Sequence, residues 1–187
     1  RNARGTTYPD PLMAAEIVKD AGGDGITAHL REDRRHIVDQ DISRLKQQNI
    51  LPLNLEMAAT NEMQKIALDV LPNAVCLVPE KREERTTEGG LNVFKKISSL
   101  RSFIEPIKQK NIRVSLFIEP SEKQIDAAKS IGADIIELHT GYFCELYEKN
   151  DKNYIEVIKT IEKAAKYAFK LGLEVHAGHG LTTRSVS

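Results

Sequence analysis

Apolar runs of seven or eight residues recur along the chain, separated by longer stretches with apolar positions every three or four residues. Such runs read as strands and the longer stretches as amphipathic helices. Strands are predicted at 25–31 (GITAHLR), 51–57 (LPLNLEM), 74–80 (AVCLVPE), 113–119 (RVSLFIE), 134–141 (DIIELHTG) and 173–179 (LEVHAGH). Residues 1–10 read as a loop. Asp10 can cap a helix with Pro11 at its first position, running to about Ala21 before Gly22-Gly23 stops it. Further helices are predicted near 39–48, from Thr60 to about Leu71, at 91–110 with Pro106 kinking or splitting it, from Ser121 to about Ile131, and at 153–170. Thr182 or Thr183 could open a last one.

This is strand-helix alternation six times over, with strands that are apolar nearly throughout. Strands of that kind imply a parallel sheet covered by helices. A closed (β/α) barrel and an open doubly wound sheet both satisfy the pattern. No GxGxxG follows the first strand and no GxxxxGK[ST] occurs, which counts against nucleotide-type open sheets. Polar residues recur at the C-terminal strand ends, where barrel active sites sit, and that favours the barrel. At 187 residues, one domain over 1–187 is expected.

Strand side chains alternate faces, so Thr27, His29 and Arg31 fall on one side and Ile26, Ala28 and Leu30 on the other. The same period groups Asn54 with Glu56, Ser115 with Phe117 and Glu119, Ile135 with Glu137 and His139, and Ala177 with His179. If each set points inward, the barrel mouth holds His29, Arg31, Glu56, Glu137 and His179. A buried carboxylate is costly unless paired, so Glu56 and Glu137 are either structural ion pairs or functional groups. Imidazole titrates near neutrality, which suits His29 and His179 to acid-base work, with a satisfied core histidine as the competing reading.

Arg4, Arg31, Arg34, Arg35 and the Thr86-Thr87-Glu88-Gly89-Gly90 segment are the phosphate-type signals. Arg31 is in phase with His29, whereas Arg34 and Arg35 read equally as solvated charge. Gly178 and Gly180 permit close backbone approach, and their amides could bind a phosphate oxygen. The EKREERTTEGG stretch is long enough for a lid over a substrate, though an idle surface loop has the same charge density. His176 and His179 would lie on opposite strand faces, so a metal site is not expected.

Charge narrows the partners. With 27 basic and 27 acidic residues the net charge is zero, which argues against nucleic acid or an acidic membrane. No apolar run approaches the roughly 20 residues that span a bilayer. Cys76 and Cys144 form neither a disulfide framework nor a CxxC pair, and a reduced cytoplasmic setting fits them as packing residues. An Arg1 start and a Ser187 end fit a piece of a longer chain.

The stretches RNARGTTYPDP, HLREDRRH, NLEM, LVPEKREERTTEGGL, SLFIEP, IELHTG and AGHGL resemble, in order, the motifs of the pyridoxine 5′-phosphate synthase family. The resemblance covers nearly the whole chain. It implies a (β/α)8 TIM barrel, here lacking the first strand, with its Asn-Ile-Asp-His run, and the eighth, with its phosphate-binding loop. It implies a transferase of vitamin B6 biosynthesis, a homo-octamer of the bacterial cytoplasm that needs neither metal nor organic cofactor. The family condenses 1-deoxy-D-xylulose 5-phosphate with 3-amino-2-oxopropyl phosphate, releasing phosphate and water. By motif match, His29 and Glu56 resemble the proton acceptors, His179 the proton donor and Glu137 the transition-state stabiliser. Arg31, His36 and Thr86 resemble contacts to the deoxyxylulose phosphate, and Arg4 and Gly180 contacts to the amino-ketone phosphate.

Two rivals stand beside this reading. An aldolase or isomerase acting on phosphosugars would share the barrel, but a Schiff-base lysine is wanted at a strand end, and Lys81 lies just beyond one. A non-catalytic barrel fragment that binds a phosphometabolite is the other.

Overall fold

The computed structural model describes residues 5–86 and 89–186. Arg4 and the Thr87-Glu88 pair of the polar loop lie outside the described residues. In chain order the elements are α1 (Pro11–Asp20), β1 (Ile26–His29), α2 (Asp39–Gln48), β2 (Leu53–Met57), α3 (Asn61–Val70), β3 (Ala74–Leu77), α4 (Ile97–Gln109), β4 (Arg113–Ile118), α5 (Glu122–Ile131), β5 (Ile135–His139), α6 (Gly141–Glu148), α7 (Tyr154–Lys170) and β6 (Glu174–Gly178). Short 3₁₀ turns cover Arg82–Glu84 and Phe94–Lys96. The chain forms two compact units, Arg1–Glu80 with Phe103–Val114, and Lys81–Ser102 with Ser115–Ser187.

In the first unit β1, β2 and β3 pair in parallel, with His29 opposite Glu56 and Glu56 opposite Cys76. The period of two holds along β2. Leu53, Leu55 and Met57 are buried while Asn54 and Glu56 are half-buried on the other face. Each buried aliphatic side chain is worth about 1.5–3 kcal/mol relative to exposure, so a one-residue slip would be prohibitive. Asp10 caps α1 by accepting from the Leu12 N–H at 3.0 Å, with Pro11 in the first turn. Arg44 of α2 donates to the same carboxylate at 3.0 and 3.3 Å, tying the start of α1 to α2. Thr60 caps α3 through the Met63 N–H, as its sequence position predicts.

In the second unit β4, β5 and β6 are parallel, with Phe117 opposite Glu137, Glu137 opposite His176, and His139 opposite Gly178. Helix α7 buries Ile161, Ala164 and Ala168, a stripe at helical spacing. Cys76 and Cys144 are buried and not joined in a disulfide.

Several expected bounds shift. Strand β1 ends at His29, so Arg31 is on a turn closed by the Arg34 N–H to the Arg31 carbonyl at 3.0 Å. The helix expected over 91–110 divides at its front: a 3₁₀ turn precedes α4, and Pro106 lies inside α4, one turn from its end. Helix α6 is not expected from the sequence: the strand read over 134–141 ends at His139, and a single residue, Thr140 at the N-cap with no side-chain capping bond, separates it from the helix. Beyond Thr182 there is one turn, in which the Ser185 and Val186 N–H groups share the Thr182 carbonyl.

Candidate active site

The first unit gathers charge at the C-terminal ends of its strands. His29 ends β1, and its ring lies between two carboxylates. Nε2 is 3.1 Å from Glu80 Oε1, and Nδ1 is 3.7 Å from Glu56 Oε1. Glu80 is the more sequestered acid, its side chain 9% exposed against 30% for Glu56. Its oxygens also accept the Glu32 N–H, at 3.0 and 3.3 Å, which fixes the carboxylate and binds the turn after β1 to the strand ends. With Nε2 facing the fixed carboxylate, the favoured neutral tautomer carries its proton there and leaves Nδ1 as the acceptor.

Arg31 grips Asp33 through Nε and Nη2 at 2.9 and 2.8 Å. That fork raises the Arg31 pKa and holds the Asp33 carboxyl well below the usual carboxylate range. The pair is exposed and adds little to stability. It aims the guanidinium while keeping the Nη1 side out of the fork. Arg34 instead fastens the turn. It pairs with Asp39 and Glu62, donates to the Arg31 and Glu32 carbonyls, and is raised in pKa chiefly by Asp39. A backbone φ of 53° places it in the left-handed region. His36 and His29 both line one cavity of about 340 Å³, whose wall is otherwise mostly apolar and includes Ala14, Ile26, Ile37 and Leu45 beside Asp10 and Thr27.

In the second unit, Glu137 and His139 share a half-buried face of β5. Gly178 leaves room for Glu137, since a Cβ at that glycine would overlap Glu137 Oε1. His179 follows β6, and its ring is 5.0 Å from that of His139, tilted by 34°. Phe117 backs both rings, at 4.9 Å from His139 and 5.9 Å from His179. Gly141 lies so close beneath that a Cβ would meet His139 at 2.9 Å and His179 at 3.0 Å. Burial, with His179 as a second cause, lowers the His139 pKa to about 4. Glu119 Oε1 lies 3.3 Å from His139 Nδ1.

Glu119 Oε1 also accepts the Gly90 N–H at 2.8 Å. A Cβ at Gly90 would stand 2.7 Å from the Glu119 nitrogen, so only glycine allows this approach. Thr86 receives the Gly89 N–H on its hydroxyl at 3.2 Å, and its own N–H meets the Gly90 carbonyl at 2.8 Å. Gly180 has φ 83°, a backbone suited to glycine, and packs on Cys144.

The expected residues thus fall into two sets. His29, Arg31, His36 and Glu56 are in the first unit, and Thr86, Glu137, His179 and Gly180 are in the second. Glu80, Glu119 and His139 are the groups that strand-face reasoning left out of its central set. Each acid has a proline beside it, Pro79 or Pro120, at a strand end, and that adjacency was the available signal. His176 stands opposite Glu137 in the strand register, is exposed and pairs with Glu174 at 2.7 Å; the phase of β6 that faces Glu137 is thus that of His176 and Gly178, not the expected set of Ala177 and His179. Among the described residues no group of three or more His, Cys, Asp or Glu is placed to hold a metal ion.

Known proteins give this arrangement a context. The family described as "Pyridoxal phosphate biosynthesis protein PdxJ" matches residues 1–187. A pyridoxine 5′-phosphate synthase of Sulfurihydrogenibium sp. (strain YO3AOP1) is 58% identical over 100% of this chain and 77% of its own length. Its counterpart in Ruegeria pomeroyi is 55% identical over 100% of this chain and 75% of its own. Among solved structures, a dihydropteroate synthase from Thermus thermophilus superposes with a TM-score of 0.50 at 13% identity, covering 91% of this chain and 84% of its own. That likeness shows the fold alone, a TIM-barrel-like α/β architecture represented by six parallel strands among the described residues. Identity of this degree along the whole of this chain, with the family match over residues 1–187, means that the chain belongs to the pyridoxine 5′-phosphate synthase family, enzymes of pyridoxal phosphate biosynthesis.

Proposed function

We propose that the chain catalyses the ring-closing condensation of 1-deoxy-D-xylulose 5-phosphate with 3-amino-2-oxopropyl phosphate to pyridoxine 5′-phosphate, releasing phosphate and water. The observation that carries this reading is His29 held between Glu56 and Glu80 at the ends of neighbouring strands. Joining an amine to a ketone expels water, and closing the ring takes further protons off carbon and oxygen. Such a sequence needs several acid-base groups in different environments.

In this scheme His29, through its bare Nδ1, and Glu56 accept protons during imine formation and ring closure. His179 donates to a departing oxygen, so that water leaves instead of hydroxide. Glu137 stabilises the charge that develops on the way. Arg31, with the side of its fork that Asp33 does not occupy, His36 in the 340 Å³ cavity, and Thr86 hold the deoxyxylulose phosphate. Arg4 and Gly180 hold the amino-ketone phosphate.

The decisive experiment mixes the full-length gene product with both phosphates and follows pyridinol fluorescence and released phosphate. Product that forms only when both substrates are present is the expected result. Binding of either phosphate with no product would overturn the reading in favour of a non-catalytic binder. A borohydride-trapped lysine adduct would favour the aldolase rival.

The finer setting is proposed on the same footing: a homo-oligomer, an octamer by family resemblance, in the bacterial cytoplasm. Exposed Met13 and Ile17, one turn apart on α1, support a self-association face. No helix among the described residues is long and apolar enough to cross a membrane. Native mass spectrometry gives the subunit count directly, and a monomer would refute the oligomer.

A further inference from the structure

His179 occupies a left-handed backbone conformation, with φ 80°. Side chains with a Cβ are strained there, and such a conformation persists only where the surroundings impose it. The flanking residues are Gly178 and Gly180, so the chain on either side could relax easily. Something outside the turn must hold it.

The restraint comes from the start of α6. Thr140 is 3% exposed, and its hydroxyl oxygen is 2.6 Å from the Gly178 carbonyl and 2.7 Å from the His179 carbonyl. One hydroxyl proton is therefore shared between two consecutive carbonyls. The Thr140 N–H adds a second bond to the Gly178 carbonyl at 2.9 Å. Cys144, whose own N–H donates to the Thr140 carbonyl at 2.9 Å, offers its thiol to the His179 carbonyl at 3.7 Å. Both carbonyls that define the turn are thus pinned from one side, and the imidazole is presented to His139 and Phe117 on the other.

We infer that Thr140 is a positioning residue for His179: its hydroxyl locks the strained turn that sets where the imidazole delivers its proton. The inference rests on the reading of His179 as proton donor in the proposed condensation. A hydroxyl that only satisfied buried carbonyls would affect folding and leave turnover per folded molecule alone. A lock on the turn affects the chemical step, because a displacement of about 1 Å at a reacting group costs on the order of 100-fold.

The test compares Thr140→Val, which keeps the branched shape without the hydroxyl, with Thr140→Ser, which keeps the hydroxyl, both in the full-length gene product. Thr140→Val should lose roughly 100-fold in kcat with little change in KM, and Thr140→Ser should recover most of it. Crystal structures of the two should show His179 leaving positive φ in the valine variant and keeping it in the serine variant. Unchanged kcat in Thr140→Val, a loss confined to KM, equal loss in both variants, or a His179 φ that stays positive in both would overturn the inference. Should Thr140→Val fail to fold, Thr140→Ala is read by the same ratios. A wild-type protein with no condensation activity counts against the proposed reaction, and the φ comparison then judges the lock by itself.

Discussion

Glu80 Oε1 stands 3.1 Å from His29 Nε2, while the two oxygens of the same carboxylate accept the Glu32 N–H at 3.0 and 3.3 Å. The acid is therefore fixed from the backbone side and can dictate which imidazole nitrogen carries the proton. Glu80→Gln keeps the shape but lets the amide present either a donor or an acceptor to Nε2. Turnover should fall by about 100-fold, the low end of what a misdirected acid-base group costs, with KM nearly unchanged. Steady-state kinetics on the purified variant reads this, and wild-type kcat would show that Glu80 is only a structural partner.

Glu56 faces the other nitrogen, at 3.7 Å, and is more open to solvent than Glu80. Glu56→Gln should cost on the order of 10²–10⁴-fold in turnover while both phosphates still bind. Calorimetric titration beside the rate assay separates the two effects, and unchanged turnover would remove Glu56 from the mechanism.

Gly178 leaves the space that the Glu137 carboxylate occupies. Gly178→Ala drives a methyl into Glu137 Oε1, so it should destabilise the protein by about 1–3 kcal/mol and displace the carboxylate. Adding Glu137→Ala removes the obstacle. The double variant should recover much of the lost stability in urea unfolding and none of the activity, a coupling of about 0.5–3 kcal/mol. Strict additivity would mean that the methyl is absorbed elsewhere.

His139 supplies the pH prediction. Its ordinary value near 6.5 is lowered in the folded protein to about 4, first by burial and then by His179. Between those values the unfolded chain binds a proton that the folded one refuses, so stability rises with pH there. The contribution is complete above pH 6.5 and is lost as pH falls toward 4. His139→Gln should flatten this part of the stability-pH curve, measured by urea unfolding from pH 4 to 7. An unchanged slope would assign the acid lability to the carboxylates.

Much of this was readable before any coordinates. Continuous apolar strands gave the parallel α/β class, and local chemistry gave the caps at Asp10 and Thr60, because a cap depends on residues two or three positions away. Period-two alternation put His29 and Glu56 on one face, but it set Glu137 with Ala177 and His179, whereas the strand register brings His176 and Gly178 to Glu137. It did not give Glu80 its place. Strand β3 ends at Leu77, three residues earlier, and beyond a strand end the period no longer sets a direction. Arg31 shows the same limit from the other side, since the phase that linked it to His29 stops where β1 does. Helix α6 was invisible because its aromatic sequence, GYFCELYE, is stabilised by burying Phe143, Cys144 and Leu146 more than by helix propensity.

The backbone at His179 has an evolutionary consequence. A left-handed residue with a Cβ gives up about 1–3 kcal/mol that glycine would keep. Heat resistance and turnover therefore pull this position in opposite directions. A randomised library sorted only for survival of heating should drift toward Gly or Asn at 179 and go silent in the assay. One sorted for product should hold histidine there at the expense of melting temperature.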